Sequence, residues 1–236
     1  MPVSTPPTRR PARQTEGFST TLLRAHPDRP ARTFLPADYQ PKYAYPLVVV
    51  FHDSGADEDA AARLAPLLSR RNYVVACPRG PVNLGPGTAG RRGFAWPAAP
   101  DAAYLSALLA HAREKYHLHP QRLYLLGTGD GAAAAYRFAV ASRGAVAGVA
   151  LLSAEVPAAT RCARGLRLFV GHGEGNPAVP VAAARRAARE LTRAGAMVRF
   201  ESYPAADRVS GDMLRDVNRW IMGTVNAGPD WLATGG

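Results

Sequence analysis

An apolar strand that turns through glycines into a run of alanines leaves a chain few folds to choose from. Residues 123–138 read that way: Leu-Tyr-Leu-Leu-Gly-Thr-Gly-Asp-Gly, four alanines, then Tyr-Arg-Phe. Small residues on both sides of such a bend let strand and helix approach closely, and in its G-x-S-x-G form the strained turn lifts a serine oxygen clear of the sheet. Here the frame is Gly127, Thr128, Gly129, Asp130, Gly131, so the place of the serine falls on Gly129. The turn is written out without its reactive atom.

The flanking chain alternates strand-like and helix-like segments. Residues 47–51 are a continuous apolar run, the pattern of a strand covered on both faces, and lead into His52-Asp53-Ser54-Gly55. Residues 57–70 carry Ala61, Leu64, Leu67 and Leu68 at helical spacing, and 73–77 read as the next strand. Residues 78–100, rich in Gly and Pro, read as a long loop and a candidate pocket wall. Asp101 stands where a helix cap is expected, before a stripe of Tyr104, Leu105, Leu108, Leu109 and Ala112.

Strands at 122–126, 146–152, 166–170 and 197–203, with helices at 181–194 and 213–225, complete the alternation, and two short edge strands at 19–25 and 32–35 precede it. The expectation is an α/β fold, a doubly wound, mostly parallel sheet flanked by helices. One domain over 18–225 is expected, with a flexible basic arm at 1–17 and a loose tail at 226–236.

A chain of 236 residues suits one such core. The formal charge of +11 is almost wholly arginine, since Lys42 and Lys115 are the only lysines. Solvated faces such as Arg186, Arg189 and Arg193 account for it, with nucleic acid or an anionic surface as the second reading. Cys77 closes an apolar strand and reads as a buried thiol, while Cys162 lies in an arginine-flanked loop with no general base nearby. No apolar run approaches the roughly 20 residues of a membrane span. Without a secretory h-region before Phe18, the expected location is cytoplasmic.

The order of these landmarks resembles the α/β-hydrolase superfamily, in particular the phospholipase/carboxylesterase and dienelactone-hydrolase-like esterases. The likeness runs from about Thr33 to Met222. It is carried by Tyr45-Pro46, His52, Gly93-Phe94-Ala95-Trp96, Pro120-Gln121-Arg122, and Gly171-His172-Gly173 through Asn176-Pro177-Ala178-Val179-Pro180. The resemblance implies a minimal α/β-hydrolase fold without a large lid domain. It also implies that the serine, acid and histidine positions of a catalytic triad fall on Gly129, Asn176 and Asp207, none of which supplies the required group.

The resulting expectation is a catalytically inactive homologue with a small-molecule cleft lined by Asp53, Ser54, Trp96, Asp130 and Asp207. One alternative is a carboxylic-ester hydrolase working through Asp130, by a one-residue shift of the elbow, or through Ser54. Another is an interaction protein using its arginine surface. His52 and His172 read as structural, His117 and His119 lack metal-site spacing, and neither metal nor cofactor is expected.

Overall fold

The computed structural model describes residues 17–86, 92–142, 144–156, 164–204 and 208–226. Residues 1–16 of the arm, the tail at 227–236, Cys162 and Asp207 lie outside the described residues.

The apolar run at 47–51 becomes β3 (Tyr45–Phe51), buried at all seven positions. Successive side chains of a strand point to opposite faces, and here both faces are dry. Leu47, Val49 and Phe51 join one core cluster, and Val48 and Val50 join another.

The same logic builds β4 (Val74–Pro78), β7 (Leu118–Thr128), β8 (Gly148–Leu152), β9 (Arg167–Gly173) and β10 (Met197–Tyr203). These run parallel to one another around β3, and β1 (Gly17–Leu23) with β2 (His26–Leu35) adds an antiparallel margin. The sheet order is β1-β2-β4-β3-β7-β8-β9-β10. Pro27 and Pro30 fall in the part of β2 that β4 does not reach, where a missing N–H costs no ladder bond.

Helices cover both faces. α3 (Ala102–Lys115), α4 (Asp130–Ala141) and α5 (Val181–Arg193) pack on one cluster through residues such as Leu108, Ala135 and Leu191. On the other side, α1 (Glu58–Ala62), α2 (Ala65–Leu68) and α6 (Gly211–Asn226) contribute Ala61, Leu68, Leu214 and Ile221. Each leucine or isoleucine among them removed from water contributes roughly 1.5–3 kcal/mol, so the two clusters supply the main force holding the layers together. Arg186, Arg189 and Arg193 lie exposed on the outer side of α5, as their spacing predicts.

Three expectations change. The helix read at 57–70 is two short helices, because Pro66 has no N–H to donate and instead sits in the first turn of α2. Asp101 makes no side-chain capping bond to α3, its carboxylate being 2.6 Å from Arg29 in an ion pair. The region 78–100 carries a small antiparallel ribbon, β5 (Val82–Pro86) and β6 (Arg92–Ala95), rather than a structureless loop.

Cys77 is fully buried, and that burial pushes its thiol pKa up, so it is an inert core group. No helix among the described residues is long and apolar enough to cross a membrane.

Candidate active-site cleft

The C-terminal ends of β3, β7, β8 and β9 open into a cleft of about 650 Å³, the place where open α/β sheets hold ligands. β3 brings His52 and Asp53 to it, and β7 brings Thr128 and Gly129. Ser153, Ala154 and Glu155 arrive after β8, the loop from Asn176 to Val179 follows β9, and Arg208 and Val209 close the rim.

The bend from β7 into α4 falls on Gly129, which has φ +50° and ψ −127°. This is a left-handed, strained conformation that only glycine adopts without cost. Both flanking glycines are required by space. A Cβ on Gly127 would come 2.5 Å from Ala132 N, and one on Gly131 would come 2.5 Å from Phe51 O. The elbow is therefore framed on Gly127-x-Gly129-x-Gly131. The shifted frame, with Asp130 at the apex, is not adopted: Asp130 is the first residue of α4, and it meets the cleft from the helix N-terminus.

Asp53 turns out to be the residue closest to the apex. Its Oδ1 accepts the backbone N–H of Ser54 and of Asp130, both at 2.8 Å. In elbows of this kind the N–H after the apex and an N–H of the loop after β3 form the oxyanion hole. A Cβ built on Gly129 would overlap the Asp53 carboxylate itself.

His52 is 1% exposed and fully committed. Its Nε2 accepts the Gly80 N–H at 2.9 Å, which leaves the proton on Nδ1 to donate to Asp53 O at 2.7 Å. Burial holds its pKa below the usual 6.5, against the pull of the Asp53 carbonyl and nearby carboxylates, so the ring is neutral and structural. No imidazole nitrogen of His52 is left to serve Ser54. Ser54 itself is exposed and does not line the cleft.

Trp96 is likewise not a cleft residue. Its Nε1 donates to His52 O at 3.0 Å and its ring packs on Phe51 and His52, behind the loop that carries Asp53. None of the described residues of the region 78–100 lines the cleft.

Asn176 does reach the cleft, and its amide is used for structure. Oδ1 accepts the N–H groups of Ala178 and Val179 at 2.9 and 3.0 Å, and Nδ2 donates to Ser153 O at 3.3 Å. The last bond needs a donor, which an ionised carboxylate at this position could not provide. His172, 0% exposed, holds the same loop through Nε2 and Val179 O at 2.8 Å.

Ser153, Glu155 and Arg208 are lining residues that sequence reasoning missed. Ser153 has φ +46°, rare for a residue with a side chain, and stands where β8 ends beside β7. Its place at the end of a central parallel strand was the available signal. Among the described residues no group of three or more His, Cys, Asp or Glu side chains is placed to hold a metal ion.

A mostly parallel, twice-covered sheet with a strained glycine elbow at the end of a central strand defines the α/β-hydrolase class. More particularly, the chain belongs to the phospholipase/carboxylesterase family, whose sequence model matches residues 100–225.

Its fold is similar to that of a thermostable esterase at 19% identity and TM-score 0.63, covering 88% of this chain but only 62% of that longer one. The carboxylesterase from Mesorhizobium loti is similar at 20% identity and TM-score 0.62, over 89% of this chain and 100% of that one. Zea mays acyl-protein thioesterase 2 is similar at 20% identity and TM-score 0.59, over 83% of this chain and 99% of that one. At these identities the likeness concerns the fold alone. No curated protein matches the sequence.

Proposed function

We propose that this chain is a phospholipase/carboxylesterase homologue that no longer hydrolyses esters and keeps its cleft for a small molecule. The observation that carries the reading is the elbow apex, where Gly129 offers no hydroxyl and the Asp53 carboxylate stands in its place. Acyl transfer of the serine type needs a hydroxyl, an imidazole within reach and a carboxylate to orient that imidazole. Gly129 and Asn176 supply neither the first nor the last, and His52 is tied to Gly80 and Asp53. Asp207 lies outside the described residues, and its side chain is a carboxylate where the resemblance implies an imidazole. Losing a triad has elsewhere cost about a millionfold in turnover.

The ligand we expect is small and polar with hydrogen bonds to donate, because Asp53, Asp130 and Glu155 all line the cleft. The alternative of a replacement nucleophile is less well supported. Ser54 has no base, and Asp130 stands beside the apex rather than on it.

The test is steady-state hydrolysis of a short-chain aryl ester and a short-chain thioester by the purified protein, with Asp130→Asn and Ser54→Ala measured beside it. We expect all three to match buffer. A rate well above buffer that one substitution abolishes would identify a working nucleophile or base and reverse the proposal.

A further inference from the structure

Asp53 and Gly129 occupy one volume. They come from the ends of β3 and β7, yet a Cβ on Gly129 would overlap the Cγ and both carboxylate oxygens of Asp53. The overlap is with the end of an exposed side chain, so what opposes its displacement is the pair of N–H groups that hold Oδ1 at 2.8 Å. Those two donors come from different parts of the chain, Ser54 from the loop after β3 and Asp130 from the first turn of α4. A carboxylate held by two backbone N–H groups at a helix N-terminus makes charge-assisted bonds and faces the positive end of the peptide dipoles.

We propose that Asp53 is the resident ligand of the elbow. Its carboxylate takes both the volume of a nucleophile's side chain and the two N–H donors that would otherwise receive a ligand oxygen, so the elbow is closed from within to small carboxylates and ester carbonyls. Gly129 and Asp53 are then a coupled pair. A side chain at 129 requires that the Asp53 carboxylate move, so Gly129→Ser alone gains its hydroxyl only by breaking the two bonds that Asp53 Oδ1 accepts. The inference deepens the proposed loss of hydrolysis and rests on it only for the assignment of the apex to Gly129.

A double-mutant cycle tests it. Gly129→Ala should lower Tm by about 4–8 °C in the native background, and by about 2–4 °C less than that in the Asp53→Ala background, where only the positive φ remains to be tolerated. Equal losses in the two backgrounds would overturn the proposal.

A second measurement does not depend on any change at 129. In Asp53→Ala, titration with sodium propionate should move the backbone amide resonances of Ser54 and Asp130 saturably, whereas the native protein should show no saturable change at either. No saturable shift in the variant, or the same shift in both proteins, overturns the assignment. Ester hydrolysis by the native protein would reverse the proposed function without touching this coupling, and equal Tm losses would remove the resident ligand while leaving the proposed function standing.

Discussion

Replacing Gly131 by alanine is expected to cost at least about 3 kcal/mol of folding stability, a fall in Tm of about 6–12 °C for a chain of this size. The added methyl group would come 2.5 Å from the Phe51 carbonyl oxygen and would also overlap that of His52. Both obstacles are backbone atoms at the end of β3, so no rotamer change relieves the overlap. Either α4 lifts away from the sheet or β3 shifts, and both movements open the core around Ala132 and Ala135, each 0% exposed.

Gly223→Ala supplies the control. At that exposed position in α6 a Cβ meets nothing within 4 Å, and better helix propensity should raise stability by about 0.5–1 kcal/mol. Thermal denaturation of the two variants measures the difference directly. A Gly131→Ala protein as stable as the native one would mean that strand and helix are not packed this closely at the elbow.

The second large effect concerns the ion pair between Glu58 and Arg79. Glu58, in the first turn of α1, accepts two bonds from the Arg79 guanidinium at 2.6 and 2.5 Å, and the Glu58 side chain is 5% exposed. Arg79 also lies 4.5 Å above the Phe94 ring, so one guanidinium joins the end of β4 to α1 and to β6. Arg79→Met leaves a buried carboxylate without its partner, which is expected to cost about 3 kcal/mol. Adding Glu58→Gln to that variant should recover at least half of the loss, because the penalty lies in the uncompensated charge more than in the lost attraction. Singles within about 1 °C of the native Tm would show that the pair is solvated and contributes little.

The glycine spacing of residues 127–131 favoured Gly129 over Asp130 as the apex of the elbow, and the structure adopts that frame. Glycine adopts the φ of +50° at 129 without strain, and only glycine lets β7 and β3 meet α4 at 127 and 131. The continuous apolar runs gave the parallel strands for a related reason, since a strand covered on both faces has no polar side to show.

What stayed hidden lies in contacts between distant parts of the chain. Asp53 and Asp130 are 77 residues apart, and no local pattern says that one carboxylate will lie on the other's N–H. Trp96 looked like a binding aromatic because aromatic residues in loops often are. Its indole N–H instead finds a backbone partner at His52, a choice settled by tertiary packing. The ribbon at Val82–Pro86 and Arg92–Ala95 escaped notice because its strands are short and rich in glycine and proline. Pro66, by contrast, was a legible break in the helix at 57–70, and its effect on α1 and α2 follows from its missing N–H alone.

A cleft that has lost hydrolysis as proposed holds no activated nucleophile for acyl or phosphonyl transfer. The measurement that tests it most directly is intact-mass spectrometry of the native protein after prolonged exposure to excess alkyl fluorophosphonate, with an active carboxylesterase as positive control. An unchanged mass is expected under conditions that label the control completely. A stoichiometric phosphonyl adduct mapped to a cleft residue such as Ser153, or to Ser54 beside the elbow, would contradict it.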